Sequence, residues 1–327
     1  MERIIRHGTV PAALAGMRID RVAAALFDEF SRAMLSQWIQ QGVLTVDGAA
    51  VRPKLRMRGG ETLCLDAQLV PRENWTAADR VDFEVVHQDE HLLAVNKPPG
   101  VVVHPGAGNP RCTLVNGLLD VYPELARLPR AGIVHRLDKD TSGLLLVART
   151  EQARHALSRM LGRREVSRRY LAVVEGALAR DLEVDQPIGR DPVRRTRQAV
   201  RADGRAALTR VRVLERYGAH TLVEATLETG RTHQIRVHLS AARHPLVGDR
   251  RYGARGRVPL GAGDATVAVL RAFGRQALHA WQLRFVHPAT GRDVRLRCEP
   301  PADLQTLIDV LRADAGEGAN VDTRHDG

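Results

Sequence analysis

The chain of 327 residues is long enough for two domains with sizeable cores, and its net charge of +11 indicates a polyanionic partner. Its three cysteines are widely spaced, which excludes a disulfide framework and a cysteine-rich zinc site and fits a reducing compartment. No apolar stretch resembles a secretory signal or reaches the roughly 18 residues that span a bilayer. We therefore expect a soluble, cytoplasmic protein without a membrane partner.

The basic residues are concentrated in two windows. Residues 127–170 contain 11 basic and 4 acidic residues, and residues 189–216 contain 9 and 3. Only three of the 49 basic residues are lysines, so an arginine-favouring genome is an alternative explanation for the overall excess. Because the excess is clustered, the sequence favours a basic face that binds nucleic acid over an evenly solvated surface.

Residues 1–16 are predicted to be an N-terminal extension, and residues 17–66 to be a small domain. Apolar residues recur at helical spacing from Ile19 and again after Ser31, a candidate N-cap, and Gly42 is placed to end the second helix. The segment VLTVDGAAV then predicts a β-hairpin that turns at Asp47-Gly48.

This order of helix, helix and hairpin resembles the S4-type RNA-binding domain. The resemblance implies that the small domain binds RNA, with Arg32 and Lys54 as candidate contacts. A generic small α+β unit is the alternative interpretation. Residues 67–79 lack clear periodicity and are predicted to be a linker.

Residues 80–313 are predicted to form a larger α+β domain. Strand-like segments separated by occasional helices favour a mixed, largely antiparallel central sheet over regular βα units. The one clear helix is predicted at 151–161, where an apolar stripe indicates a structural role. Gly106 and Gly108 form a GxG pair, but no βαβ unit surrounds it, so a dinucleotide site is not expected. The polar segment 314–327 is predicted to be disordered.

The stretch HRLDKDTSG, residues 135–143, crowds charged side chains in front of an apolar run. If the residues before it are extended, Asp138 lies at the tip of a strand beside Arg136, where a carboxylate is well placed to act on a substrate. A solvated surface turn is the alternative interpretation of these charges. Asp140 is the nearest second carboxylate.

Two later stretches also have strand-like alternation. In ETGRTHQIRVHL, residues 228–239, alternation places Arg236 among polar neighbours opposite an apolar face. His233 and His238 fall on opposite faces of such a strand, so a shared metal is not expected. In RRYLAVVEG, residues 168–176, Tyr170 follows a double arginine, where it could stack on a base or simply complete the core.

Together, HRLDKDTSG, RRYLAVVEG and GRTHQIRVH resemble the motifs of the pseudouridine synthases of the large-subunit rRNA type. The segments NKPPGVVVHPGAGNP and HPLVGDRRYG strengthen the resemblance, which extends from about residue 17 to residue 313. It implies a pseudouridine synthase fold: an α+β domain with a mixed, largely antiparallel central sheet, preceded by the S4-like domain. It also implies an isomerase that requires no cofactor and no metal.

The resemblance implies roles for individual residues. Asp138 corresponds to the catalytic aspartate, Arg236 to the arginine that pairs with it, and Tyr170 to the tyrosine that stacks on the uracil. Arg136 corresponds to the arginine associated with displacing the target nucleotide from its stack. Further candidate RNA contacts near these motifs are Arg168, Arg169, Arg231 and Gln234.

The partner implied by the resemblance is 23S rRNA or a precursor of the large ribosomal subunit, with target uridines in the helix 69 stem-loop. We expect the protein to act as a monomer. A non-catalytic RNA-binding factor of ribosome assembly is the main alternative function, since it explains the charge but not the paired motifs. A glycosidic-bond hydrolase is a second alternative, and it normally needs a second carboxylate, for which Asp140 is the candidate.

Overall fold

The computed structural model describes residues 2–28, 30, 32–69, 78–106, 109–253 and 258–322. The chain forms two compact units, Met1–Glu73 and Asn74–Gly327, called here the N-terminal unit and the C-terminal unit. Within the described residues, no helix is both long enough and apolar enough to cross a membrane.

The N-terminal unit packs two helices on a four-stranded antiparallel sheet. Its elements are β1 (Glu2–Thr9), α1 (Ile19–Leu26), α2 (Arg32–Gln40), β2 (Leu44–Val46), β3 (Ala49–Ala50) and β4 (Thr62–Leu69). The strands lie in the order β1-β4-β2-β3. Ile19 and Leu35 from the helices are buried in one cluster with Leu44 and Leu63 from the sheet, so the unit has its own hydrophobic core.

Both predicted helices and the predicted hairpin of this unit are present. Asp47 and Gly48 have φ values of 48° and 79°, as a tight hairpin turn requires. The predicted extension at 1–16 needs correction, because β1 pairs with β4 along its whole length and buries Ile4. Strand β4 also occupies residues 67–69, the start of the predicted linker 67–79. Residues 70–77 of that linker lie outside the described residues, and so does Ser31, the predicted N-cap.

The C-terminal unit is built on a large sheet. Its strands are β5 (Glu84–Gln88), β6 (Leu92–Lys97), β7 (Ser142–Ala148), β8 (Ser167–Glu175), β9 (Leu182–Asp185), β10 (Ile188–Arg190), β11 (Gln198–Val200), β12 (Leu208–Tyr217), β13 (His220–Leu227), β14 (Leu278–Val286) and β15 (Asp293–Arg297). Its α-helices are α3 (Leu114–Val121), α4 (Glu151–Gly162), α5 (Gln234–Ala241), α6 (Asp264–Ala272) and α7 (Ala302–Asp322).

The sheet confirms the predicted α+β class with a mixed, largely antiparallel sheet. Nine strands lie in the order β5-β6-β7-β14-β8-β13-β12-β9, with β15 paired to β14, and β10 and β11 form a separate hairpin. Among the described strand pairs of the nine-stranded sheet, β7 with β14 is the parallel one.

Helices cover both faces of this sheet, because its central strands are apolar on both sides. On β7, Leu145 and Val147 join a core that also contains residues of α3 and α5, whereas Leu144 and Leu146 join a core with α4. On β8, Val173 packs in a third core with α6 and α7. The central strands are therefore buried between two helical layers.

Three predictions for the C-terminal unit need correction. Residues 133–138 form an irregular loop before β7 instead of a strand, and residues 234–241 form the helix α5 instead of a strand. The segment 314–327, predicted to be disordered, continues α7 as far as Asp322, and residues 323–327 lie outside the described residues. The predicted helix at 151–161 is confirmed as α4, and the predicted strand in RRYLAVVEG is confirmed as β8.

Candidate active site

The loop that carries Asp138 is anchored on both sides. Before it, Ile133 forms a bridge with Val147 of β7, and Nε2 of His135 accepts a hydrogen bond of 2.9 Å from the backbone N–H of Leu146. After it, Gly143 has a φ of 113°, and a Cβ atom at this position would lie 2.3 Å from the carbonyl oxygen of Ala280. Gly143, which ends the stretch HRLDKDTSG, is therefore required for the close parallel contact of β7 and β14.

Helix α5 carries Arg236 in its first turn. The helix begins after His233, which adopts a left-handed conformation with φ 58° and ψ 24°. Oε1 of Gln234 accepts hydrogen bonds from the Thr229 hydroxyl and from the backbone N–H of Arg231, at 2.7 and 3.0 Å. These contacts hold the turn that precedes α5, so Arg236 emerges from a rigid support.

Asp138 and Arg236 meet directly. Nη1 of Arg236 donates to Oδ2 of Asp138 at 3.0 Å, although 98 positions separate the two residues in the chain. The side chain of Asp138 is 16% exposed and that of Arg236 is 8% exposed. The carboxylate thus remains accessible while its partner is almost enclosed by protein.

A second carboxylate fixes the guanidinium. Nε and Nη2 of Arg236 donate to the two carboxylate oxygens of Asp249, at 2.7 and 2.9 Å, in the two-pronged geometry that specifies one orientation. Burial opposes the charge of Asp249, but the hydrogen bonds and positive charge of Arg236, together with backbone hydrogen bonds from Arg251 and Tyr252, outweigh burial and lower the pKa of Asp249. For Arg236, burial acts against the charge and the two carboxylates outweigh it, so its pKa is raised.

Two aromatic rings complete this cluster. The guanidinium of Arg236 lies over the ring of Tyr252, 5.1 Å from its centre. Nδ1 of His233 lies 2.7 Å from the Tyr252 hydroxyl, and its Nε2 lies 3.8 Å from Oδ1 of Asp138. Burial lowers the pKa of His233, so the ring is neutral at pH 7 and adds no positive charge beside Asp138.

Tyr170 lies on β8, on the face that joins the main core. It is 5% exposed and packs in the same cluster as Leu137, the residue before Asp138. Burial raises the pKa of Tyr170; the positive charge of Arg168 opposes this change and the negative charge of Asp138 adds to it. The phenol therefore keeps its proton near neutral pH.

Asp138 and Arg236 open into a cleft of about 570 Å³. Basic side chains from several segments line it together with the two residues. The lining includes His104, Arg136, Lys139, Asp140, His233, Arg250, Arg251 and Arg275. The cleft thus combines an acidic group at Asp138 with an arginine-rich wall, a combination suited to a polyanion that reacts at one neutral centre.

The structure brings some predicted RNA contacts to the cleft and separates others from it. Arg136 is exposed and is part of the cleft lining. Arg231 is not among the residues that line the cleft, and its Nε donates to the backbone carbonyl of Ala206. Arg168 is buried on the same face of β8 as Tyr170. Arg169 lies on the opposite face and contacts Glu224 at 3.3 Å.

Gln234 does not fit its predicted role as an RNA contact. It is buried, and its amide nitrogen donates to the carbonyl of Leu208 and the hydroxyl of Thr209, both at 3.0 Å. Since its amide oxygen also accepts two bonds inside the protein, the structure assigns Gln234 to holding the turn before α5.

In the N-terminal unit, Arg32 and Lys54 are both exposed. Arg32 donates to Asp20 at 2.6 Å, and Arg18 donates to the same carboxylate at 3.0 Å. Asp20 is buried, so it holds two exposed guanidinium groups at the surface of the unit.

Among the described residues, no group of three or more histidine, cysteine, aspartate or glutamate side chains is arranged to hold a metal ion. His238, on α5, contacts Thr209 and the carbonyl of Gln186, each at 2.9 Å, and so belongs to the interior of the unit.

Sequence reasoning missed three residues of the site. Asp249, Tyr252 and Lys97 contact the site from the segments HPLVGDRRYG and NKPPGVVVHPGAGNP, whose resemblance to the family singles out no individual residue. For Lys97, a lone lysine next to two prolines at the end of an apolar strand was the available signal. Burial lowers the pKa of Lys97 to about 7, although Asp140 and Asp138 oppose that change.

Comparisons with known proteins identify the class to which this fold and site belong. A family model for RNA pseudouridylate synthase matches residues 91–241. Among solved structures, Human RNA Pseudouridylate Synthase Domain Containing 4 is similar with a TM-score of 0.55 and 26% identity, over 70% of this chain and 93% of that chain.

The similarity to curated proteins is closer and covers almost the whole chain. The ribosomal large subunit pseudouridine synthase D of Xanthomonas campestris is 49% identical, over 99% of this chain and 98% of that protein. The protein of the same name from Pseudomonas aeruginosa is 48% identical, over 96% and 98%. The chain therefore belongs to the RNA pseudouridine synthase family, and it is an enzyme of that class.

Proposed function

We propose that this enzyme converts specific uridines of large-subunit rRNA to pseudouridine, with Asp138 as its nucleophile. The observation that carries the proposal is the contact of 3.0 Å between Asp138 and Arg236 in an arginine-lined cleft. The names of the similar proteins support the large ribosomal subunit as substrate. The motif resemblance extends the proposal to the helix 69 stem-loop of 23S rRNA.

The reaction needs only one carboxylate as its nucleophile. Pseudouridine formation breaks the bond between ribose C1′ and N1 of uracil, turns the base, and joins C1′ to C5, so the RNA gains and loses no atoms other than the exchanged proton. Asp138 attacks either C1′ or C6 of the ring, and Arg236 stabilises its negative charge and fixes its orientation. Asp249 holds Arg236 still while this happens.

Tyr170 is proposed to contact the target uracil with its ring. Because burial raises the pKa of Tyr170, a role as general base at neutral pH is disfavoured, and stacking is the remaining contribution. Stacking of a base on an aromatic ring is worth about 1–3 kcal/mol. This offsets part of the few kcal/mol needed to remove a base from its stack.

The basic residues around the cleft are proposed to bind the RNA backbone. Arg136 is exposed and lines the cleft with Asp138, and we propose that it occupies the position of the displaced base. We propose the N-terminal unit as an S4-like RNA-binding domain, with Arg32 and Lys54 as contacts. Since one chain supplies both Asp138 and Arg236, we also propose that the enzyme acts as a monomer. We propose the cytoplasm as its location.

The decisive experiment uses large-subunit rRNA that carries tritium at C5 of uridine. We expect Asp138→Asn to abolish tritium release while its affinity for the RNA stays within about threefold of wild type. Asp140→Asn is the matched control, because Asp140 lies two positions away and lines the same cleft. This variant should remain active.

The alternatives predict different products. A hydrolase would release free uracil and would depend on Asp140, whereas a passive assembly factor would release neither tritium nor uracil. Normal tritium release by Asp138→Asn would refute Asp138 as the nucleophile. Mapping pseudouridines in rRNA from cells that lack the gene, complemented with wild type or Asp138→Asn, then tests whether the modified uridines lie in helix 69.

A further inference from the structure

Side chains from outside the Asp138 loop hold three consecutive residues of that loop. Nζ of Lys97 donates to the carbonyl of Lys139 at 2.9 Å, and Nη1 of Arg275 donates to the carbonyl of Asp140 at 3.1 Å. Nε2 of Gln276 donates to the hydroxyl of Thr141 at 3.0 Å. The position of the loop is therefore set by β6 and by the residues that lead into β14.

Arg275 differs from the other two side chains because it also contacts the C-terminal helix. Its Nε and Nη2 donate to the two carboxylate oxygens of Asp303, at 2.6 and 2.8 Å. Asp303 lies in the first turn of α7. Along the same helix, Leu304, Leu307 and Leu311 are buried in the core beside β8 and β13. A guanidinium thus links a rigidly packed helix to the loop of the nucleophile.

We propose that Arg275 is a positioning residue for Asp138, and that α7 serves the active site through the chain of contacts from Asp303 to Arg275 to the carbonyl of Asp140. The proposal rests on the role of Asp138 as nucleophile. Residues 275 and 303 both lie beyond the segment 91–241 that the family model matches. A part of the chain outside that segment thus positions the nucleophile.

The hydrogen bonds of Arg275 distinguish positioning from direct RNA binding. Arg275 lines the cleft, but its side chain is only 11% exposed. It already makes four hydrogen bonds, two to Asp303 and one each to the carbonyls of Asp140 and Gln276. Since a guanidinium has five N–H groups, little donor capacity is left for a phosphate.

The contact at Asp140 is close enough to move the nucleophile. The backbone N–H of Thr141 donates to the carbonyl of Asp138 at 3.1 Å, so residues 138–141 form one closed turn. Releasing the carbonyl of Asp140 therefore loosens the turn that carries the carboxylate. A misplacement of about 1 Å at a reacting group costs on the order of 10²-fold in rate.

The test compares Arg275→Gln with Arg284→Gln, measuring tritium release from C5-labelled rRNA at saturating and limiting RNA. Arg284 also donates to an aspartate through Nε and Nη2, at 3.0 and 2.8 Å to Oδ2 of Asp293, but on the exposed β14–β15 hairpin. We expect Arg275→Gln to lower kcat by about 10- to 100-fold with KM changed less than about threefold. We expect Arg284→Gln to match wild type, and Arg275→Lys to recover part of kcat.

Two further variants keep the outcomes distinct. Asp303→Asn preserves the bond from Arg275 to the loop but weakens the link to α7, so it should lower kcat less than Arg275→Gln does. If Arg275→Gln does not fold, the kcat of Asp303→Asn tests the positioning role instead. Asp138→Asn is assayed in parallel: if it stays active, the proposed nucleophile is wrong.

If Asp138→Asn is inactive while Arg275→Gln and Asp303→Asn both keep the kcat of wild type, only the positioning role is overturned. A raised KM with unchanged kcat in Arg275→Gln also overturns it, in favour of a direct RNA contact. Hydrogen exchange at the amide of Thr141 supplies an independent measurement, and the proposal requires faster exchange in Arg275→Gln than in Arg284→Gln.

Discussion

The two units of this protein treat charge in opposite ways. In the described part of the N-terminal unit, Asp20 is the one buried side chain that is polar or charged, and its arginine partners stay exposed. In the C-terminal unit, Arg236 and Asp249 are both buried, and each is a charged partner of the other. The smaller unit keeps its cations at the surface, whereas the larger unit encloses ions around one cleft.

The difference follows from the cost of removing an ion from water. Burying a charge costs several kcal/mol, which only well-placed partners recover, so it adds little to stability. A fixed carboxylate or guanidinium is nevertheless what a reaction needs, because it is already oriented when the substrate arrives. The buried ions of the C-terminal unit are therefore suited to chemistry, and the exposed ions of the N-terminal unit are consistent with its proposed role in RNA binding.

The strongest test of this contrast is Arg236→Gln. It should abolish detectable activity and lower the free energy of unfolding by roughly 3–5 kcal/mol, because Asp249 is left buried without its partner. Denaturant unfolding and tritium release measure the two effects. Arg3→Gln is the matched control, since Arg3 makes the same two-pronged contact with Asp66 at the exposed surface of the N-terminal unit. Equal losses in both variants would contradict the contrast.

A smaller effect is expected from pH. Burial lowers the pKa of His135 to about 3, and the charge of Arg168 acts in the same direction. In the unfolded chain the His135 ring binds a proton below about pH 6.5, whereas in the folded protein it stays neutral until about pH 3. The contribution of the neutral ring to folding stability is therefore complete above pH 6.5 and is lost as the pH falls towards 3. Between pH 7 and pH 5, this group should cost about 2 kcal/mol of unfolding free energy.

His135→Gln isolates this contribution, because glutamine can still accept the hydrogen bond from Leu146 but does not titrate. Urea unfolding at pH 7 and at pH 5 should show a smaller drop for the variant than for wild type. Identical drops would mean that His135 is not neutral in the folded protein.

A weaker effect is expected for Asp20→Asn in the N-terminal unit. The variant weakens the charged hydrogen bonds to Arg18 and Arg32, but both guanidinium groups are already solvated. We expect a decrease of about 1 kcal/mol in unfolding free energy and an unchanged kcat. A lower kcat at saturating RNA would show that the N-terminal unit contributes to the chemical step and would remove the contrast.

The smallest effects are expected for Lys54→Gln and Arg32→Gln. Each should weaken RNA binding and reduce the slope of log Kd against log salt concentration by about 0.7–0.9 for each phosphate that the variant no longer neutralises. Fluorescence anisotropy with a labelled rRNA stem-loop, titrated between low and moderate salt, measures this slope. Arg3→Gln should leave it unchanged, because Arg3 is not among the proposed RNA contacts of this unit. An unchanged slope for Lys54→Gln would remove Lys54 from the interface.

The sequence was sufficient wherever one face of an element decides its structure. Helix α4 carries a single apolar stripe and Asp47-Gly48 is a strong hairpin signal, and both elements are present. The motifs also placed Asp138, Arg236 and Arg136 at one cleft. Local pattern and short motifs thus determined the fold class, the family and most of the site.

Tertiary structure decided what such patterns leave ambiguous. Helix α5 is buried on all sides, so its apolar residues need not follow the helical period. Ile235, Val237 and Leu239 are spaced as they would be in a strand, and only the surrounding core selects the helix. Packing likewise decided that Gln234 faces the interior and that Asp249 holds Arg236. These contacts join distant segments, and the energy of a long-range contact depends on how sheets and helices pack, which no local window of sequence contains.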